Sequence, residues 1–137
     1  MKRNFLGILT AMTVALLISV PLSAQTIAKV TVPFDFTVGQ AQMSAGTYEI
    51  SSPGHDAIVI RNTNATASVL SIVNTEPSRK SDSGRKLVFD SYRDRYFLSQ
   101  VSRAFGGGAM QLPPSKLEKE VRIASSTVPR KVVLAAR

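Results

Sequence analysis

The chain has no cysteine, no tryptophan and a single histidine, His55. Without thiols it has no disulfide staples, no thiolate nucleophile and no zinc–thiolate site. One imidazole and scattered carboxylates do not make a metal-ligand set, so neither a metal nor a cofactor is expected. His55 stands in a Pro-Gly-His-Asp turn, where a solvated side chain is the simplest role. No serine is framed by a Gly-x-Ser-x-Gly elbow, which leaves a nucleophilic triad without sequence support. Three tyrosines and no tryptophan offer little for stacking on sugars. No catalytic residue is nominated.

Acids are also scarce. Seventeen Lys+Arg stand against nine Asp+Glu, a formal net charge of +8 at pH 7. Such a balance suits contact with an anionic surface, or simply keeps a small domain soluble. The cations are spread along the chain, and Arg79, Lys80, Arg85 and Lys86 form the one sequence cluster. Serines and Asp82 dilute it, and no aromatic residue interleaves for base stacking, so nucleic acid is not an expected partner.

What is present begins with a leader. Lys2 and Arg3 precede an uncharged run from Phe5 to Val20, which ends in Pro-Leu-Ser-Ala at residues 21–24. This order of basic, apolar and small residues predicts a secretory signal peptide over residues 1–24, cut after Ala24. The run is short of the about 20 apolar residues that a span needs, so no transmembrane segment is expected in the mature chain. Residues 25–137 then suit one domain, exported to the periplasm or the cell exterior.

Period-2 patterning dominates that domain. Val30, Val32, Phe34, Phe36 and Val38 occupy alternate positions, with Thr31, Asp35 and Thr37 between them. That pattern predicts a strand with one buried face, bent or placed at an edge by Pro33. After a turn at Ala45-Gly46, strands are further expected in Thr47–Ser51 with Tyr48 and Ile50 inward, in Ala57–Asn62 and in Thr66–Asn74. The fold class expected is all-β with one short C-terminal helix: a small antiparallel sandwich or barrel of about six to eight strands.

Residues 77–86 read as an exposed basic loop, since no apolar residue occurs from Ser78 to Lys86. The stretch Lys86–Ser102 then predicts a hairpin turning at Arg93-Asp94. In that register Ser91 faces Tyr96, Phe89 faces Leu98 and Leu87 faces Gln100, so Leu87, Phe89, Tyr96 and Leu98 share the core face. Val88, Phe97 and Val101 fall on the other face, beside Asp90 and Ser99. A ligand face on Asp90, Tyr92, Arg93 and Arg95 is the functional reading of the same residues. A hairpin whose charges meet water is the structural one, and it carries more weight.

Toward the end of the chain the period changes. Ser115 followed by Glu118 is a capping box, and Leu117, Val121 and Ala124 make one stripe, predicting a helix over 115–125 docked by that stripe. "KVVLAAR" predicts a closing strand. The glycines at 106–108 lack the Gly-Lys-Ser/Thr ending of a phosphate loop, so a turn or bulge is expected there.

The motifs "VPFDFTVG", "AGTYEI", "KLVFDSYRDRYFLSQV", "LPPSKLEKE" and "VVLAAR" together resemble a group of short exported proteins common in acidobacterial genomes. The resemblance implies export and a β-rich fold. It implies no chemistry, because the group has no assigned activity. Similar sequences commonly carry Gly-Asp at the hairpin turn, where this chain has Arg93-Asp94.

Two functions follow from these residues. The favoured one is a non-enzymatic binding or structural module of the envelope or exterior, contacting an anionic envelope polysaccharide or an envelope protein. Its candidate residues are Arg79, Lys80, Arg85, Lys86, Tyr92, Arg93 and Arg95. The alternative is a small β-barrel hydrolase or isomerase whose pocket the sequence does not mark.

Overall fold

The computed structural model describes residues 25–64, 67–76, 84–103 and 108–137. The expected leader, Arg79 and Lys80, most of the basic loop, and Gly106 and Gly107 lie outside the described residues. No helix among the described residues is long and apolar enough to cross a membrane.

The alternating run around Pro33 becomes two strands in two sheets. β1 (Gln25–Val32) is the edge of a four-stranded sheet in the order β1-β4-β5-β6, with β4 (Gly46–Ser52), β5 (Ala57–Asn62) and β6 (Ser68–Ile72). Past Pro33, which has no N–H to continue the ladder, the chain crosses to the second sheet. There β2 (Phe36–Val38) forms a hairpin with β3 (Ala41–Met43) and touches β9 (Arg95–Ser102) in parallel at Thr37–Phe97. Asp35 steadies the crossing by accepting a hydrogen bond from the Ala45 amide at 2.8 Å.

The second sheet runs β11-β8-β9-β10-β7. Its members are β7 (Asn74–Glu76), β8 (Lys86–Tyr92), β9 (Arg95–Ser102), β10 (Ala109–Gln111) and β11 (Arg130–Ala135). The result is a small β-sandwich, with one helix among the described residues, α1 (Lys116–Ser125). The strands β2, β3, β7 and β10 have three residues each. They raise the number of strands above the six to eight that the sequence predicts: β2 continues the alternation of β1 and reads with it as one strand, while β3, β7 and β10 are too short to leave a periodic trace.

The two inner faces meet in one core. Val30, Val32, Tyr48, Ile50, Ile58 and Ile60 come from the first sheet; Phe36, Val38, Leu87, Phe89, Leu98, Val101 and Met110 come from the second. Rings pack edge-on at its centre, with Phe36 5.1 Å from Tyr48 and 5.4 Å from Phe89 between centroids. The sandwich is closed along one side by the C-terminus. Lys29 and Arg137 exchange backbone hydrogen bonds of 2.8 and 3.0 Å.

The β8–β9 hairpin keeps the predicted register at its tip, with Ser91 opposite Tyr96 and Phe89 opposite Leu98. Further down it departs from prediction, because Leu87 faces Val101 and Gln100 faces Val88. Ser99 is the extra residue of a β-bulge, and its hydroxyl donates to the Val88 carbonyl at 3.1 Å. The slip reverses the phase of β9, so Val101 turns into the core opposite Leu87 and is fully buried. Lys86 belongs to β8 and not to the loop before it, which therefore ends at Arg85.

The hairpin's other face, with Asp90 among its apolar residues, is largely covered. Val88, Asp90, Tyr92 and Phe97 are all buried, and Val88, Tyr92 and Phe97 lie outside the main core cluster. α1 lies over this face as a third layer. Ser115 caps it, accepting from the Glu118 amide at 3.1 Å, and Ser126 ends it in a left-handed conformation. The expected apolar stripe is only half-buried at Leu117 and Val121 and is exposed at Ala124. The buried residue of the helix is Glu118.

Candidate functional site

The tip of the β8–β9 hairpin, the last two turns of α1 and the start of β11 come together at one end of the molecule. The turn is closed by the Tyr92–Arg95 pair, with Arg93 at φ 56°. Among the described non-glycine residues only Arg93 and Ser126 have positive φ, so Asp94 does not share it. A positive φ at the first central residue alone is the pattern of a type II′ turn, a place where glycine is usual.

This turn and the helix enclose a cleft of about 380 Å³. Tyr92, Arg93, Asp94 and Arg95 line one side; Val121, Ala124 and Ser125 line the other. Arg95 also borders a neighbouring cleft of about 460 Å³, together with Asp35, Gln40, Gln42 and Leu117. Arg93 and Arg95 are exposed, and no ion pair with a described residue holds either of them. Tyr92 is buried, with its ring 5.9 Å from Phe97 in an edge-on contact, and so supplies a fixed wall.

Behind Tyr92 lies a buried polar cluster. The Tyr92 hydroxyl donates to Glu118 Oε1 at 3.4 Å, a long bond. Lys131 Nζ stands 2.5 Å from Asp90 Oδ1, an ion pair rather than an aligned hydrogen bond. Lys131 lies opposite Asp90 in the β8–β11 ladder, and Arg130 lies opposite Ser91. Burial, then the charges of Glu118 and Asp90, push the Tyr92 phenol above its ordinary value, so it remains a donor. Burial first, and the negative charge of Asp90 second, raise the Glu118 carboxyl. The hydrogen bond from Tyr92, then Lys131 and Arg122, oppose that rise.

A carboxyl raised by folding holds its proton more tightly in the folded chain. Its contribution to stability is complete below the ordinary value of 4.5 and is lost as pH climbs through the folded value. Glu118→Gln keeps an acceptor for Tyr92 and removes the charge. It is expected to be at least as stable as the parent at neutral pH and to lose that share of the decline as pH rises from acid to neutral. Denaturant melts on the acid and neutral sides of 4.5 measure this; a variant with the parent's pH slope would overturn it.

The candidate residues thus divide. Tyr92, Arg93 and Arg95 share the cleft. Asp90, read from sequence as part of a ligand face, is buried beneath it and paired with Lys131. Arg85 and Lys86 stand at the far end of β8, roughly 20 Å from Tyr92 at about 3.3 Å per residue. Arg79 and Lys80 lie outside the described residues, so the loop cluster is not seen whole. His55 is exposed in its turn, where its carbonyl accepts from the Thr75 hydroxyl at 3.0 Å. Among the described residues no three His, Cys, Asp or Glu side chains gather as metal ligands.

Sequence reasoning missed Glu118, Arg122 and Lys131 as neighbours of the hairpin. Each reaches it from a distant element, and only the β8–β11 register brings Lys131 to Asp90. Comparison with protein-family models, with curated proteins and with solved structures finds no match to this chain.

Proposed function

We propose that the protein is an exported, non-enzymatic binding module that takes an acidic polysaccharide of the envelope at the hairpin–helix cleft. The observation that carries this is the pair Arg93, in the turn, and Arg95, closing it, both exposed and bordering the cleft with no carboxylate among the described residues paired to them. Arg122 and Arg130 add positive charge at the same end. A guanidinium offers a fixed fork of donors to a carboxylate or sulfate, and here its ring-walled setting limits how far a ligand can shift. The leader-like N-terminus and the resemblance to exported proteins support the compartment.

A hydrolase reading would rest on Asp90 and Glu118, two carboxylates in one buried cluster. It is the weaker reading, because Tyr92 and the Lys131 ion pair occupy their accessible sides.

Titration with a polyuronate at low and physiological ionic strength tests the proposal. Binding should weaken as salt screens the charges. Arg93→Ala with Arg95→Ala should raise the dissociation constant by about tenfold or more, while Arg79→Ala with Lys80→Ala should not. A hairpin variant that binds like the parent, or a loop variant that loses binding instead, would remove the cleft from the account.

A further inference from the structure

β6 is the terminal strand of the four-stranded sheet, and among the described residues it pairs with β5 alone. Leu70 and Ile72 point outward from it, 67% and 71% exposed. Opposite them on β5 stand Val59 and Ala57, so the apolar strip spans two strands. Natural sheet edges are blunted by lysine, proline, bulges or a covering segment. None of the first three is present here. Every residue from Asn62 to Thr75 is uncharged and none is proline, and the β5–β6 ladder has no register shift. The opposite edge of the same sheet is occupied, since β1 bonds to Arg137. In a chain of net charge +8, β6 is a surface over which two copies meet without opposing like charges.

We propose that β6 is a self-association edge. Two copies pair β6 with β6 antiparallel about a two-fold axis through Ser71, joining their four-stranded sheets into one. A strand paired with itself in this sense offers its partner the same donors and acceptors that it receives, an isologous contact. The exposed side chains select the register. An axis at Ser71 sets Leu70 opposite the partner's Ile72 and Ile72 opposite the partner's Leu70, two apolar cross-strand pairs on one face. An axis at Leu70 would instead set Ile72 opposite a serine, Ser68. The association is independent of the cationic cleft, which uses other strands.

The absence of cysteine makes the test clean, because a single introduced thiol has no competitor. In Ser71→Cys the two sulfurs face each other across the axis, with Cα atoms inside the about 4.4–6.8 Å that a disulfide spans. In Ser68→Cys the two thiols lie about 20 Å apart along the paired strands. Under mild oxidation the first variant should form a covalent dimer and the second should remain monomeric. Sedimentation of the unmodified protein should show a concentration-dependent dimer, and Leu70→Lys with Ile72→Lys should abolish it. Both exposed positions tolerate lysine, so the double variant should keep the parent's circular dichroism and melt. A parent that stays monomeric up to about 1 mM, equal crosslinking at 68 and 71, or a dimer that survives the lysines would each overturn the proposal.

Discussion

Phe89→Ala is expected to cost about 3–5 kcal/mol, a large part of the about 5–15 kcal/mol that holds a domain of this size. Phe89 is fully buried opposite Leu98, and its ring contacts two others edge-on, Phe34 at 5.2 Å and Phe36 at 5.4 Å. Both contacts depend on the Pro33 crossing, which carries Phe34 and Phe36 from one sheet into the other. Phe34 also stacks on Tyr96 at 4.0 Å. Truncating Phe89 therefore leaves a void where the crossing, β8 and β9 meet, and neighbours fixed in rotamer wells fill it poorly. Arg93→Ala and Arg95→Ala remove exposed side chains from the same hairpin and should stay within about 0.5 kcal/mol of the parent. Denaturant midpoints at an unchanged slope report the difference. If Phe89→Ala melts with the parent, the hairpin does not present this ring to the core.

The parts of the fold legible in the sequence are those whose cause is local. Val30 to Val38 alternate because one face is buried, and the alternation survives the change of sheet at Pro33 since both halves face the same core. The hairpin tip was legible because a two-residue turn fixes the pairs next to it. Ser99 was not, because a bulge is a relation between two strands: it appears only when Leu87 and Val101 are seen to claim the same core layer. The order of strands, and the packing of α1 through Glu118 on Tyr92 beside Asp90, are likewise long-range facts.

The site divides along the same line. Tyr92, Arg93 and Arg95 are close in sequence and were read together. Glu118 fits the capping-box pattern, but only its own amide takes part in the cap, while its carboxylate turns inward to Tyr92. A helical pattern of apolar residues gives no sign that the residue most deeply buried on the helix is an acid. Its burial is explained by the phenol contributed from β8, which donates to the carboxylate. Mistaking the docking face by one position was the consequence.

Gly108→Ala should be the most damaging change of a single methyl group in the second sheet, at about 3 kcal/mol, the upper end of backbone strain. Two causes act together. Gly108 holds φ +78°, and a Cβ there would come within 2.6 Å of the Glu76 carbonyl oxygen, a backbone atom that cannot turn aside. Glu76 is fixed on β7 opposite Ala109, and its side chain accepts from Gln111 Nε2 at 2.9 Å. The new methyl thus pushes β7 from β10 at the sheet's edge. Gly39→Ala separates the causes: Gly39 has φ +60° with nothing within 4 Å of the added carbon. It should lose only the conformational share, about 1–2 kcal/mol. Gly54, with open space and no positive φ, should accept alanine without loss. Denaturant melts of the three variants, with amide exchange at Thr75 and Met110, measure the series. Equal losses at Gly39 and Gly108 would deny the close approach of β7. The graded outcome identifies the end of the triple glycine as the closely packed entry to β10, with a structural demand for glycine that owes nothing to phosphate.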